Sequence, residues 1–210
     1  MEFDEEEVRK LTENEGDELL NIRTKGNQQG FHESLHHNRY EPTPYKILKV
    51  LFSRYHLASE DRLVDFGCGK GRMNFYIHHL AGSSSAGVEM NTDFYEDALK
   101  NLEIYARHNK NILEKIDFYN CLAQDYPIDP RDNRFYFFNP FSVQIFMKVI
   151  NNILRSTEQH ERSVELILFY ASEDYIDFLE HQTVFEMTEE IALPGMQKDL
   201  RERFLVYRLS

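Results

Sequence analysis

The apolar positions along this chain switch between two periods. From Tyr45, the positions Ile47, Leu48, Val50, Leu51 and Tyr55 recur at helical spacing, and Ala58–Asp61 closes that segment with a turn. Short apolar stretches then alternate with helical patterns. Strands are predicted over about 62–66, 86–90, 115–120, 134–138 and 164–170, and helices over 71–81, from Asn91 or Thr92 to Asn109, over 143–155 and over 174–181. Gly82-Ser83-Ser84-Ser85 and 126–133 read as a turn and a loop. Two late strands, 183–191 and 203–209, are separated only by a loop containing Leu193-Pro194-Gly195, so they pair most simply as a hairpin. Strands that alternate with helices at this spacing imply βαβ units. The expected architecture is α/β: a doubly wound, mostly parallel seven-stranded sheet with an antiparallel C-terminal hairpin strand and helices on both faces.

Ahead of this pattern the chain is different. Residues 1–30 are polar, with a helix predicted on Val8, Leu11, Leu19, Leu20 and Ile22, and 31–40 are rich in histidine. Pro42 and Pro44 interrupt regular structure before the helix at Tyr45. Residues 1–40 are therefore expected to form an acidic extension, partly helical or mobile, and 41–210 the domain proper. Of the net charge of −12, residues 1–20 carry −7, leaving −5 for the rest. The leader is expected to be solvated.

That balance gives no basic stripe for a phosphate backbone, hence no strong nucleic-acid signature; a local basic patch around Arg131, Arg134 and Lys148 stays open. No apolar run has the roughly 20 residues that span a bilayer, so no membrane partner is expected. The acidic start is unlike a signal peptide, and Cys68 and Cys121 suit a reducing compartment. A cytoplasmic location is the expectation.

The chemistry concentrates at Val64-Asp65-Phe66-Gly67-Cys68-Gly69-Lys70-Gly71-Arg72. A strand, a glycine turn and a helix in that order form an adenosine-cofactor site at the carboxyl end of a first strand. Glu89 ends the second strand, where an acid accepts hydrogen bonds from both ribose hydroxyls. A dinucleotide site needs a third glycine for close helix–strand packing, and that position is Arg72. This argues against a nicotinamide-dependent oxidoreductase, which stays as the alternative from another enzyme class. A Walker phosphate loop is absent. Near the histidines, His32 and His36 have helical spacing, but no third ligand accompanies them or His37, so no metal is assigned.

Asp65-Phe66-Gly67-Cys68-Gly69-Lys70-Gly71 closely resembles motif I of class I (Rossmann-like) S-adenosylmethionine-dependent methyltransferases, and the resemblance extends over about residues 40–210. It implies that 41–210 is a methyltransferase domain, that the cofactor is S-adenosyl-L-methionine, and that a methyl group passes to an acceptor by in-line displacement. The cofactor residues it implies are Thr43, Asp65, Gly67, Cys68, Gly69, Glu89, Met90, Ala123 and Asn139, with Met90 against the adenine. Where many relatives have Asp-Ala after the third strand, this chain has Leu122-Ala123. Asn139-Pro140-Phe141 resembles the Asn-Pro-Pro-Tyr/Phe motif of amino-group methyltransferases without its second proline. It implies an acceptor pocket shaped by Asn139, Pro140 and Phe141, the ring stacking on the target. Tyr40-Glu41-Pro42-Thr43-Pro44 resembles a segment that folds over the methionine end, with the Thr43 hydroxyl reaching its carboxylate. Tyr170, ending the fifth strand, is a candidate for the acceptor pocket. The acceptor stays open among an amine-bearing small molecule, a protein and RNA, as does the oligomeric state. A non-catalytic S-adenosylmethionine-binding module is the third reading.

Overall fold

The computed structural model describes residues 12–25, 41–109, 111–193 and 197–209. Its elements in chain order are α1 (Glu13–Leu20), α2 (Tyr45–Arg54), β1 (Arg62–Phe66), α3 (Arg72–Ala81), β2 (Ser84–Val88), α4 (Thr92–Ala106), β3 (Ile116–Tyr119), β4 (Arg134–Phe138), α5 (Val143–Gln159), β5 (Val164–Phe169), α6 (Glu173–Gln182), β6 (Glu186–Ala192) and β7 (Arg203–Leu209). The seven strands form one sheet in the order β3-β2-β1-β4-β5-β7-β6. Only β7 runs against the others: it pairs antiparallel with both β5 and β6. The expected doubly wound sheet with its C-terminal hairpin is therefore the observed one.

Side chains alternate across each strand, and the two faces carry separate cores. Val64, Phe66, Phe135, Phe137, Leu166 and Leu168 face α5 and α6. Leu63, Tyr136, Ile167 and Phe169 face the layer built from α1, α2, α3 and α4. The chain winds from β1 outward to β3, then returns to place β4 on the other side of β1. The crevice at that switch, above the carboxyl ends of β1 and β4, is where open α/β sheets bind ligands.

Two element bounds differ instructively from expectation. β2 begins at Ser84, inside the predicted turn, because Ser84 and Ser85 pair with Arg62 and Leu63 of β1. Small polar residues hide a strand from a hydrophobicity pattern. α4 ends at Ala106, three residues early, and is capped by Asn91, whose side chain accepts from the Asp93 and Phe94 N–H groups at 2.9 and 3.2 Å. Asn91→Ala should cost about 1 kcal/mol, read as a melting temperature lower by roughly 2–4 °C. His78, near the end of α3, is half-buried against the Tyr105 hydroxyl at 3.0 Å, and burial lowers its pKa.

The leader also differs from a solvated run. Thr12 and Glu15 form a reciprocal capping box that starts α1. Asp17 is buried and accepts from the Thr24 N–H (2.7 Å), the Thr24 hydroxyl (2.6 Å) and the Tyr45 hydroxyl (2.8 Å). Arg72 lies at the centre, 3 % exposed. Its Nε donates to Thr24 Oγ1 (2.7 Å), one Nη donates to the Thr43 carbonyl (3.1 Å) and to Glu13, and its guanidinium stacks 4.4 Å above the Tyr45 ring. Leu20 and Ile22 are buried as expected. Val8, Leu11, Tyr40 and the histidines at 32, 36 and 37 lie outside the described residues.

Two of the three residues of that basic patch are paired with acids. Arg131 pairs with Asp129 at 2.8 Å, and Arg134 with Asp61 and Glu165 at 3.0 and 3.4 Å. No helix among the described residues is long and apolar enough to cross a membrane.

Candidate active site

The glycine loop leaves β1 in a left-handed backbone: φ is +81° at Gly67, +54° at Gly69 and +84° at Gly71. The Gly67 and Cys68 N–H groups both donate to the Val88 carbonyl (2.9 and 3.2 Å), which folds the loop onto the end of β2. A Cβ at Gly67 would stand 2.9 Å from Pro140 Cβ, and one at Gly71 would stand 2.6 Å from the Phe118 ring. Positive φ and close approach together admit only glycine at these positions. Cys68 fills the loop interior as a small residue, its thiol pushed up by burial and then by the charges of Asp65 and Glu89.

Glu89 organises the next corner. It is buried, one carboxylate oxygen accepting from the Gly69 N–H (2.9 Å) and the other from the Asn91 N–H (2.7 Å). Burial raises its pKa, and these N–H donors pull it back. Each oxygen retains a second lone pair, the capacity a pair of ribose hydroxyls requires. Asn120 braces the same corner by donating to the Glu89 and Met90 carbonyls at 2.9 and 3.3 Å. Met90 is exposed beside it. Ala123 opens a 3-10 turn, Ala123–Asp125, and is half-buried; Leu122 before it is exposed.

Asp65 is buried with no hydrogen-bond partner among the described residues. Burial, and then the charge of Glu89, push its carboxyl up to about 8. The native protein therefore holds a proton that the unfolded chain, with a carboxyl near about 4, releases. The stability this proton lends is full below about pH 4 and is lost as pH rises to about 8. Chemical denaturation at stepped pH should show that decline, and Asp65→Asn should flatten it. Once ionised, this carboxyl supplies a counter-charge for a ligand cation.

Asn139 follows β4 with φ +41°, and Tyr170 follows β5 with φ +56°. Side chains rarely adopt such angles, and they cluster at functional sites. Pro140 sits against Gly67 and joins the β4 turn to the glycine loop. Phe141 is placed differently from the stacking role the sequence suggests. It is 4 % exposed, its ring lies edge-on to Phe137 at 6.2 Å, and its carbonyl accepts from the Tyr175 hydroxyl. The ring lies in the core packed by α5 and α6. Thr43 is buried, its hydroxyl hydrogen-bonded to that of Tyr136 at 2.7 Å.

Thus Asp65, Gly67, Cys68, Gly69, Glu89, Asn139 and Pro140 gather around one crevice, with Thr43 joined to it through Tyr136 on β4. The sequence reading missed Arg72 as a contact residue and treated it only as a glycine that was lost. The capping-box pattern Thr12-Glu13-Asn14-Glu15 was the available sign that the leader folds.

No protein-family profile matches the chain, and no curated protein matches it in sequence. Solved structures do match in shape. One is a human methyltransferase 10 domain containing protein (16 % identity, 99 % of this chain and 98 % of that one, TM-score 0.58). Another is a candidate RNA methyltransferase from Pyrococcus horikoshii (17 % identity, 95 % and 98 %, TM-score 0.55). A third is M. capricolum TrmK in complex with S-adenosyl-homocysteine (10 % identity, 78 % and 66 %, TM-score 0.51). With its 3-2-1-4-5-7-6 sheet and these structural neighbours, the chain has the Rossmann-like fold of class I S-adenosylmethionine-dependent methyltransferases.

Proposed function

We propose that this chain is an enzyme that transfers the methyl group of S-adenosylmethionine to a base of RNA. The observation that carries the reading is the closure of the glycine loop on Glu89 at the switch point, with Asn139 held in a left-handed turn beside it. Bound S-adenosylmethionine supplies a methyl group activated by a sulfonium. The residues suit it. Glu89 takes the ribose hydroxyls, Met90 and Ala123 border the adenine, and the left-handed backbone at Gly67 and Gly69 admits the methionine end. Asp65, buried and unpartnered, receives the ammonium group. In the Thr43–Tyr136 hydroxyl pair one O–H donates to the other, leaving one proton for the methionine carboxylate. Asn139 and Pro140 border the acceptor, where in-line geometry and exclusion of water supply most of the rate.

RNA as acceptor is supported by the Pyrococcus horikoshii neighbour and runs against the expectation drawn from net charge. A chain without a basic stripe can still hold single-stranded RNA by stacking. The test is transfer of label from methyl-labelled S-adenosylmethionine into total RNA. Asn139→Ala should lower turnover about a hundredfold. Label appearing in the protein or small-molecule fraction instead would overturn the RNA assignment.

A further inference from the structure

Resting on that reading, we infer that Tyr170 and Arg201 form a preformed stacking bracket for a base of single-stranded RNA beside the methylated position. Phe138 pairs with Phe169 across β4 and β5, so Asn139 and Tyr170 leave neighbouring strand ends together, both with positive φ. Tyr170 is tied down on several sides. Its N–H donates to the Arg203 carbonyl at 3.4 Å, its hydroxyl donates to Asp199, and Arg201 Nη2 donates to that hydroxyl at 3.0 Å. The Arg201 guanidinium lies 4.4 Å over the Tyr170 ring, and the Arg201 side chain is 51 % exposed. A planar cation resting on one ring and half open to solvent offers its outer face to a second flat group. Leu200, 68 % exposed, adds apolar surface on the same loop.

The bracket's charge selects the mode of recognition. Arg201 is engaged by Asp199 through Nε at 3.0 Å and Nη2 at 2.8 Å, so the pair is close to neutral. It is poorly suited to neutralising phosphate and well suited to stacking, which is how single-stranded RNA bases are held on aromatic rings and arginine planes. That agrees with a chain of net charge −12. Phe138 packs tilted against Phe169 at 4.5 Å, and Phe169 stacks on Phe204 at 4.6 Å, which gives the bracket an aromatic base.

The test is fluorescence anisotropy of a labelled, single-stranded oligoadenylate with the full chain and S-adenosylhomocysteine present. Arg201→Ala, and Tyr170→Asn, whose asparagine tolerates the left-handed backbone, should each weaken RNA binding about tenfold. S-adenosylhomocysteine affinity should not move, and circular dichroism should show both variants folded. Arg201→Lys keeps the charge but not the plane, and should weaken binding as alanine does. Wild-type binding with no loss in Arg201→Ala, or full rescue by lysine, would overturn the bracket while leaving RNA as acceptor. Failure of the wild-type protein to bind the oligonucleotide would also overturn the bracket, while the label-transfer assay alone decides RNA as acceptor.

Discussion

Glu89→Ala is expected to weaken cofactor binding by at least about a hundredfold while the sheet stays folded. Glu89 does two jobs at once. Its carboxylate holds the Gly69 and Asn91 N–H groups, so it fixes the loop that the cofactor meets. Its remaining lone pairs are the acceptors for the ribose. Hydrogen bonds to a charged group are worth about 1.5–3 kcal/mol each, and a loss of about 2.7 kcal/mol is a factor of a hundred in affinity. The fold should tolerate the change because the carboxylate is itself desolvated at a cost that its removal relieves. Glu89→Gln keeps one oxygen acceptor and should fall between the two. Calorimetric titration with S-adenosylhomocysteine, with circular dichroism to check the fold, reads both effects. A Glu89→Ala protein that binds like wild type would remove Glu89 from the cofactor site.

Arg72→Met is expected to produce the largest loss of stability, about 3–5 kcal/mol, because it breaks a buried ion cluster from one side. For a chain of this length that corresponds to a melting temperature lower by roughly 10 °C. Asp17 is buried, and Glu13 and the Thr43 carbonyl share the same guanidinium. Methionine fills the space over Tyr45 but satisfies none of these groups. The loss should reach the glycine loop as well. Arg72 follows Gly71 directly, and Asn101 ties the Lys70 carbonyl to Arg23, donating to both carbonyls at 3.0 and 3.1 Å. Limited proteolysis should therefore cut residues 12–25 faster in the variant, and Glu13→Gln should have a smaller effect because Glu13 is the more exposed partner. An Arg72→Met melting curve superimposable on wild type would show that the leader does not depend on this cluster.

Much of the sheet was legible because β1, β4 and β5 are short, largely apolar stretches, and because the last two strands have only a loop between them. Glu89 was legible from its place at a strand end after a glycine loop. Other features escaped for physical reasons. Ser84 and Ser85 carry no hydrophobic signal, although backbone pairing puts them in β2. A charged leader reads as solvated when counted by composition, yet two of its acids, Glu13 and Asp17, pair with one buried arginine that lies far along the chain. The direction of the Phe141 ring depends on the turn after Pro140, and no periodicity encodes that. The left-handed backbone of Asn139 and Tyr170 is a property of the strand ends, visible only once β4 and β5 are paired.

The central claim is that the Gly67–Gly71 loop and Glu89 form an S-adenosylmethionine site. It is tested most directly by titrating the full chain with S-adenosylhomocysteine and, separately, with a nicotinamide dinucleotide in a calorimeter. The account predicts saturable one-to-one binding of S-adenosylhomocysteine and no heat from the dinucleotide. Tight dinucleotide binding without any response to S-adenosylhomocysteine would contradict it.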